Sequence, residues 1–467
     1  MLVLFFLISS LPRFFAMWYN QQWALALLPS LSSITHAQIT TANIEPPANA
    51  NHIFNAIRST MRHWETSIHP IGMGFYLAAV PKGTRFYHGT GTPDPITGLE
   101  WLAFKPEHSL GFAHRSGQKH KRKPQSQSQS KQENSQKVLD PAQHHSAPST
   151  SGYLHTYATA RDLRLLYIDG MSAGPGGALE SQDRILFNDT ITDSTPLPDT
   201  GLGGPPNEQR RAVLGCKMAR EEWGGRIDGI VRTEGDFEII LCSFERDLEL
   251  VRISQAKPQV PSRGGGHGRG PRPGGKYWSL DNRFDELLGA SVKVDFDHFV
   301  SVITYGLDLF PGNVSRPRLG HVPSQQFEPV RRDIKDMVYA WTPSVHPFDW
   351  QAVADMIVFR YSDEIQRLAK GEFSDAAALQ EYVENLLEPF IDYAAVKSRE
   401  EIVSLCRDEF IASTAPVDSL GGRAVRFVSG EVCSVLTEVL LSDSDLAGAV
   451  ARFRELQSYL GWATWQL

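Results

Sequence analysis

The sequence predicts an α+β protein with a β-rich N-terminal domain (residues 38–254) and an α-helical C-terminal domain (residues 277–467). Short apolar runs punctuated by turn residues fill the first region, and long stripes at helical spacing fill the second. A Gly/Pro/Arg tract at 255–276, QAKPQVPSRGGGHGRGPRPGGK, stands between them as a linker. The length of 467 residues suggests about two or three domains. Apolar residues at 41% and charged residues at 21% are ordinary for globular proteins and exclude wholesale disorder, collagen and a coiled-coil rod. A net charge of -7 excludes a uniformly basic nucleic-acid binder.

Residues 1–37 carry two apolar blocks separated by Pro12, Arg13 and Asn20–Gln22, each too short to cross a bilayer comfortably. Thr35 and Ala37 sit where a signal peptidase accepts small side chains, so a leader cleaved after Ala37 is expected, with Met17 offering a second start. The expectation is a secreted protein that leaves the membrane once its leader is removed. Asn188-Asp-Thr190 and Asn313-Val-Ser315 are N-glycosylation acceptors. The four cysteines allow three pairings, of which the sequence-local one is Cys216–Cys242 with Cys406–Cys433. No C-x-x-C is present, which excludes a zinc ribbon, and no metal site is expected.

Ile53, Ile57, Met61 and Trp64 recur at helical spacing. Residues 83–113 read as strand, turn, strand, helix. Residues 115–151 contain almost no apolar side chains and cannot contribute to a core, so they read as a disordered insertion. Strands are expected at Tyr153–Tyr157, Leu163–Ile168, Ile227–Arg232 and Phe237–Phe244. In the last region Asp349 opens a helix that Gly371 closes, Ser374 opens a second that ends at Pro389, and Ser398-Arg-Glu-Glu401 is a capping box for a third. Further helical runs cover about 422–441 and 445–460.

Residues able to carry chemistry concentrate early. Thr84-Arg-Phe-Tyr-His-Gly-Thr90 is a strand ending in an imidazole beside a glycine that admits a close approach to the backbone. Trp101 follows on a second strand and Phe112 on a helix, two aromatics that can form a slot for a flat ring. Glu238 lies near the start of an apolar strand, with Glu234 as the alternative carboxylate.

In this order the residues resemble the H-Y-E class of ADP-ribosyltransferases, whose fold is a split mixed β-sheet. The resemblance spans roughly residues 83–245. It implies NAD as substrate, with His88 and Gly89 holding the adenosine ribose and the nicotinamide amide, and Trp101 and Phe112 sandwiching the nicotinamide. Glu238 would face the positive charge that develops on the ribose, with His88 and Glu238 the catalytic pair. Both aromatic positions are usually Tyr in that family. The activity implied is ADP-ribosyl transfer to a protein or small-molecule acceptor, or NAD hydrolysis, with no nucleic-acid partner. The alternative is a non-catalytic secreted binding protein that retains the fold. Gly152-Tyr-Leu-His-Thr-Tyr157 and Leu165-Leu-Tyr-Ile-Asp-Gly-Met-Ser172 also resemble segments of uncharacterised secreted fungal proteins, which names no activity.

The sequence also offers residues for two other chemistries. Glu238, Asp169 and Asp183 offer carboxylates for glycoside chemistry. Gly170-Met-Ser-Ala-Gly174 matches the G-x-S-x-G of a serine nucleophile at Ser172, but Gly174-Pro-Gly-Gly177 forbids the helix that should follow at once.

Overall fold

The computed structural model describes residues 47, 49–62, 72–113, 152–173, 179–191, 207–233, 236–257, 291–313, 317–343, 347–396 and 398–465. The expected leader, the insertion at 115–151, the linker beyond residue 257, Trp64 and Glu234 lie outside them.

The elements in chain order are α1 (Ala50–Ser59), β1 (Gly74–Val80), β2 (Arg85–Thr90), β3 (Glu100–Ala103), α2 (Pro106–Ala113), β4 (Tyr153–Thr159), β5 (Leu163–Ile168), α3 (Glu208–Glu221), β6 (Gly229–Thr233), β7 (Phe237–Leu241), a short α4 (Phe244–Asp247), β8 (Leu248–Gln255), β9 (Lys293–Ser301), α5 (Glu328–Ala340), α6 (Trp350–Lys370), α7 (Ala376–Leu387), α8 (Arg399–Arg407), α9 (Leu420–Leu441) and α10 (Leu446–Leu460).

A curled, mixed sheet of nine strands runs in the order β8-β4-β2-β3-β7-β6-β5-β1-β9, confirming the α+β class. The pair β5/β6 is parallel and the other strand neighbours are antiparallel. The sheet comes close to parting between β2 and β3, which share the single residue pair Tyr87↔Ala103. On either side of that junction β2 pairs with β4 over six residues and β3 with β7 over four.

Both faces are covered. Tyr76, Phe86, Leu102, Tyr157, Leu165, Val231 and Ile239 face a large core completed by α1 and the helices α6 to α10, with Trp350, Ile357, Val428 and Phe453 fully or almost fully buried. Phe75, Leu77, Leu166, Ile168 and Ile230 point the other way, against Ala219 and Trp223 and against Val330, Ile334 and Val338 of α5. This alternation is what a strand buried on both sides requires. The chain leaves the sheet at one edge with Gln255 and re-enters at the opposite edge with Lys293. The boundary at 255–276 thus falls between two strands of one sheet, and the described residues belong to one compact unit.

The helix ends follow capping chemistry. Asp349 accepts from the Ala352 amide at 2.9 Å, and Gly371 closes α6 in the left-handed region. The cap of α7 is Asp375, which accepts from Ala378, and not Ser374, whose hydroxyl donates to Asp375. Ser398 accepts from Glu401 as its capping box expects. Met61 lies beyond the end of α1 with a positive φ, so the helical stripe stops at Ile57. Asn51 and Asn55 of α1 donate to the carbonyls of Tyr459 and Leu460, fastening the first helix to the end of the last.

Two disulfides are present, Cys216–Cys242 and Cys406–Cys433, the sequence-local pairing. The first ties α3 to the residue after β7 and the second ties α8 to α9. Among the described residues no helix is long and apolar enough to cross a membrane.

Candidate functional site

Residues paired directly across a sheet share a face, and neighbours along a strand alternate. The register Tyr87↔Ala103↔Glu238 runs across β2, β3 and β7. Gly89, Trp101 and Glu238 therefore lie on one face, and His88 lies on the other.

His88 belongs to the core side. Its ring stands edge-on to Phe244 at 5.7 Å and to His155 at 6.5 Å. Nδ1 lies 2.7 Å from the Trp101 carbonyl oxygen, which can only accept, so Nδ1 carries the proton. Burial pushes the imidazole down to about 4, against the favourable carbonyl contact. His88 is a neutral imidazole with its proton already placed.

Gly89 permits a close approach, and what approaches is α2. A Cβ at this position would stand 1.8 Å from the Ser109 carbonyl oxygen and 2.8 Å from the Ala113 nitrogen. Phe112 on that helix is half-buried and packs on His108, with ring centroids 5.3 Å apart. Trp101 is half-buried beside Ala212, Cys216 and Ile240, under α3.

Glu238 sits in a chain of buried charges. Arg232, directly across on β6, donates through Nε to Glu238 Oε1 at 2.7 Å. The same guanidinium pairs with Glu208 of α3 and donates to Gln182 Oε1 at 3.1 Å. Glu208 also meets Arg211 at 3.2 Å, and Arg211 grips Asp183 through two bonds of 2.8 Å. The order is Asp183–Arg211–Glu208–Arg232–Glu238, in which carboxylates and guanidiniums alternate. Burial raises the Glu238 carboxyl, and the Arg232 charge opposes that rise. Burial works against the Arg232 charge, yet Glu238 and Glu208 hold its pKa above the ordinary range. Such a chain exists only because each charge answers its neighbour in a dry site.

His88 and Glu238 thus do not meet around one ring, since the sheet lies between them. Of the residues assigned to NAD, Gly89, Trp101 and Glu238 share one face of the sheet and His88 lies on the other. Arg232, Glu208, Arg211 and Gln182 are the partners that sequence reasoning missed. Alternation along Gly229–Thr233 does place Arg232 on the same face as Ile230, a signal that the arginine is buried.

The other chemistries are also accounted for. Asp169 accepts from the Gly74 amide at 2.9 Å, and Asp183 is held by Arg211. Ser172 is buried and donates to the Ile168 carbonyl at 2.9 Å, so its hydroxyl is committed to the backbone. Asn188 is exposed, and its side-chain oxygen accepts from Ser324 at 2.8 Å. Asn313 ends the short turn Pro311–Asn313. Among the described residues no group of three or more His, Cys, Asp or Glu is placed to hold a metal ion.

A family model described as the YPL277C N-terminal domain matches residues 43–137 and 116–260, the stretch that holds β1 to β8. Two Saccharomyces cerevisiae proteins are similar to the chain. The uncharacterized protein YOR389W is 34% identical over 230 residues, covering 44% of this chain and 33% of that protein. The uncharacterized protein YPL277C is 34% identical over 220 residues, covering 44% of this chain and 43% of that protein. The match thus takes in between a third and a half of each relative's length. The expected likeness to uncharacterised fungal proteins is found in these two, whose names state no activity. No solved structure matches the chain.

Proposed function

We propose that the chain is a secreted, non-catalytic binding protein that keeps the sheet plan expected of ADP-ribosyltransferases without their chemistry. One observation carries this reading: Glu238 is committed to Arg232 inside a buried chain of charges, on the sheet face opposite His88. A carboxylate that stabilises a developing ribosyl cation must present its charge to the reacting carbon. Here the charge is already answered by a guanidinium 2.7 Å away. Two disulfides and the exposed Asn188 acceptor support an oxidising, extracellular location.

A second reading draws on a different observation. The sheet nearly parts between β2 and β3, and Trp101 and Glu238 share a face beside that parting. This favours a site that binds NAD and transfers or hydrolyses it.

Nicotinamide release from NAD, measured together with NAD affinity, separates the two. The non-catalytic reading expects no release by the wild-type protein. Steady release would replace it with the transferase or hydrolase reading.

A further inference from the structure

A pocket of about 440 Å³ lies away from the Glu238 chain and is used by none of the chemistry above. Its wall is β9 and the turn after it, with Phe299, Val300, Ser301, Thr304 and Tyr305. Pro47, Asp333 of α5, and Leu420 and Arg423 from the first turn of α9 complete it.

Sequence places that helix end. A Cβ at Gly421 would stand 2.8 Å from the Phe296 carbonyl oxygen, and one at Gly422 would stand 2.8 Å from the Trp350 ring. The two glycines therefore let the start of α9 press against β9 and the Trp350 ring, and Arg423 reaches the pocket as a result. Ser419 caps the helix by accepting from the Gly422 amide at 3.1 Å.

The polar groups around the pocket are unevenly satisfied. Tyr305 donates its hydroxyl to Asp333 at 2.6 Å, and Arg332 stands 3.6 Å from the same carboxylate. Thr304 donates to the Ser301 carbonyl at 2.8 Å. Arg423 differs from all of these. Its Nε is buried without a hydrogen-bond partner, and the guanidinium makes no ion pair among the described residues. A buried donor left unmet is costly, and a guanidinium is shaped to grip a carboxylate or a similar oxyanion through two bonds. The positive end of the α9 dipole adds to the same preference. Pro47, Phe299, Val300 and Leu420 supply an apolar lining beside that charge.

We propose that this pocket binds a small organic mono-anion, an oxyanion group on an apolar body, with Arg423 gripping the oxyanion and Phe299, Val300 and Leu420 covering the body. Benzoate is the probe, benzyl alcohol its neutral counterpart, and both are titrated calorimetrically into the full chain. Benzoate should bind in the millimolar range or better, and benzyl alcohol about tenfold or more weakly. Arg423→Gln should lose that tenfold preference while keeping the wild-type circular dichroism. Thr304→Phe, which fills the pocket from its half-buried rim and leaves the arginine in place, should weaken both ligands and keeps the test intact if the arginine variant misfolds. Equal affinity of the wild type for the two probes, no benzoate binding at all, or undiminished benzoate binding by Arg423→Gln would each overturn the proposal.

Discussion

His88 and Glu238 project from opposite faces of the same sheet, although only β3 separates their strands. The register fixes this, because Glu238 pairs with Ala103, Ala103 pairs with Tyr87, and His88 is the next residue along β2. Each then finds a partner on its own side: His88 bonds the Trp101 carbonyl, and Glu238 bonds Arg232.

Arg232 is fully buried, so Arg232→Met should strand Glu238 and Glu208 without their shared counter-charge. A loss of about 3–5 kcal/mol is expected in urea unfolding. The double variant Arg232→Met, Glu238→Leu should lose less than the sum of its two singles, since it removes both charges of one pair. Strict additivity would mean that the pair is not coupled.

Gly89 is required by the contact with α2. Gly89→Ala places a methyl 1.8 Å from the Ser109 carbonyl oxygen, which neither backbone can accommodate in place. A cost of about 3 kcal/mol or more is expected in thermal or urea unfolding. Wild-type stability in the alanine variant would show that α2 does not press on β2 as described.

Much of this fold is legible in the sequence where one rule acts alone. Tyr153–Tyr157 and Leu163–Ile168 alternate or run apolar and form β4 and β5. The Asp349 and Ser398 caps, and Gly371 at the end of α6, follow from local hydrogen bonding. Asp375 displaces Ser374 as a cap because a carboxylate one residue later reaches the Ala378 amide, a competition that spacing alone does not settle. The strand β9 is hidden because Asp295, Asp297 and His298 break its apolar run, and its pairing with β1 bridges some two hundred residues of chain. The order His88, Trp101, Phe112, Glu238 is visible in the sequence, but facing is not. A shift of one residue moves a side chain through the sheet, and only the register between strands reveals it.

Asp169 and His88 should oppose one another in the pH dependence of stability. Burial raises the Asp169 carboxyl to about 7, partly offset by the Gly74 and Met73 amides. Its contribution is complete below the unfolded-state value near 4 and is lost as pH rises toward 7. His88, pushed down to about 4 by burial, contributes above the unfolded-state value near 6.5, and that contribution is lost as pH falls toward 4. Asp169→Asn keeps an oxygen for the Gly74 amide and removes the titration. Between pH 4 and 7 its unfolding free energy should therefore climb more steeply with pH than that of the wild type. Parallel curves would mean that Asp169 does not titrate abnormally.

The disulfides close sequence separations of 26 and 27 residues. Each should stabilise by about 3 kcal/mol in the chain-entropy model. The unfolded, unreduced protein should show no reactive thiol, and Cys406→Ala with Cys433→Ala should unfold at a lower urea midpoint. Four labelled thiols before reduction would remove both bridges.

The most direct measurement compares Glu238→Gln with the wild type for unfolding and for NAD consumption in parallel. If Glu238 serves the buried charge chain, the variant loses about 2 kcal/mol of stability, because a charged acceptor of the Arg232 guanidinium becomes a neutral one. Neither protein then releases nicotinamide. A wild type that consumes NAD, beside a Glu238→Gln variant of unchanged stability that does not, would contradict the account and return Glu238 to the role of catalytic carboxylate.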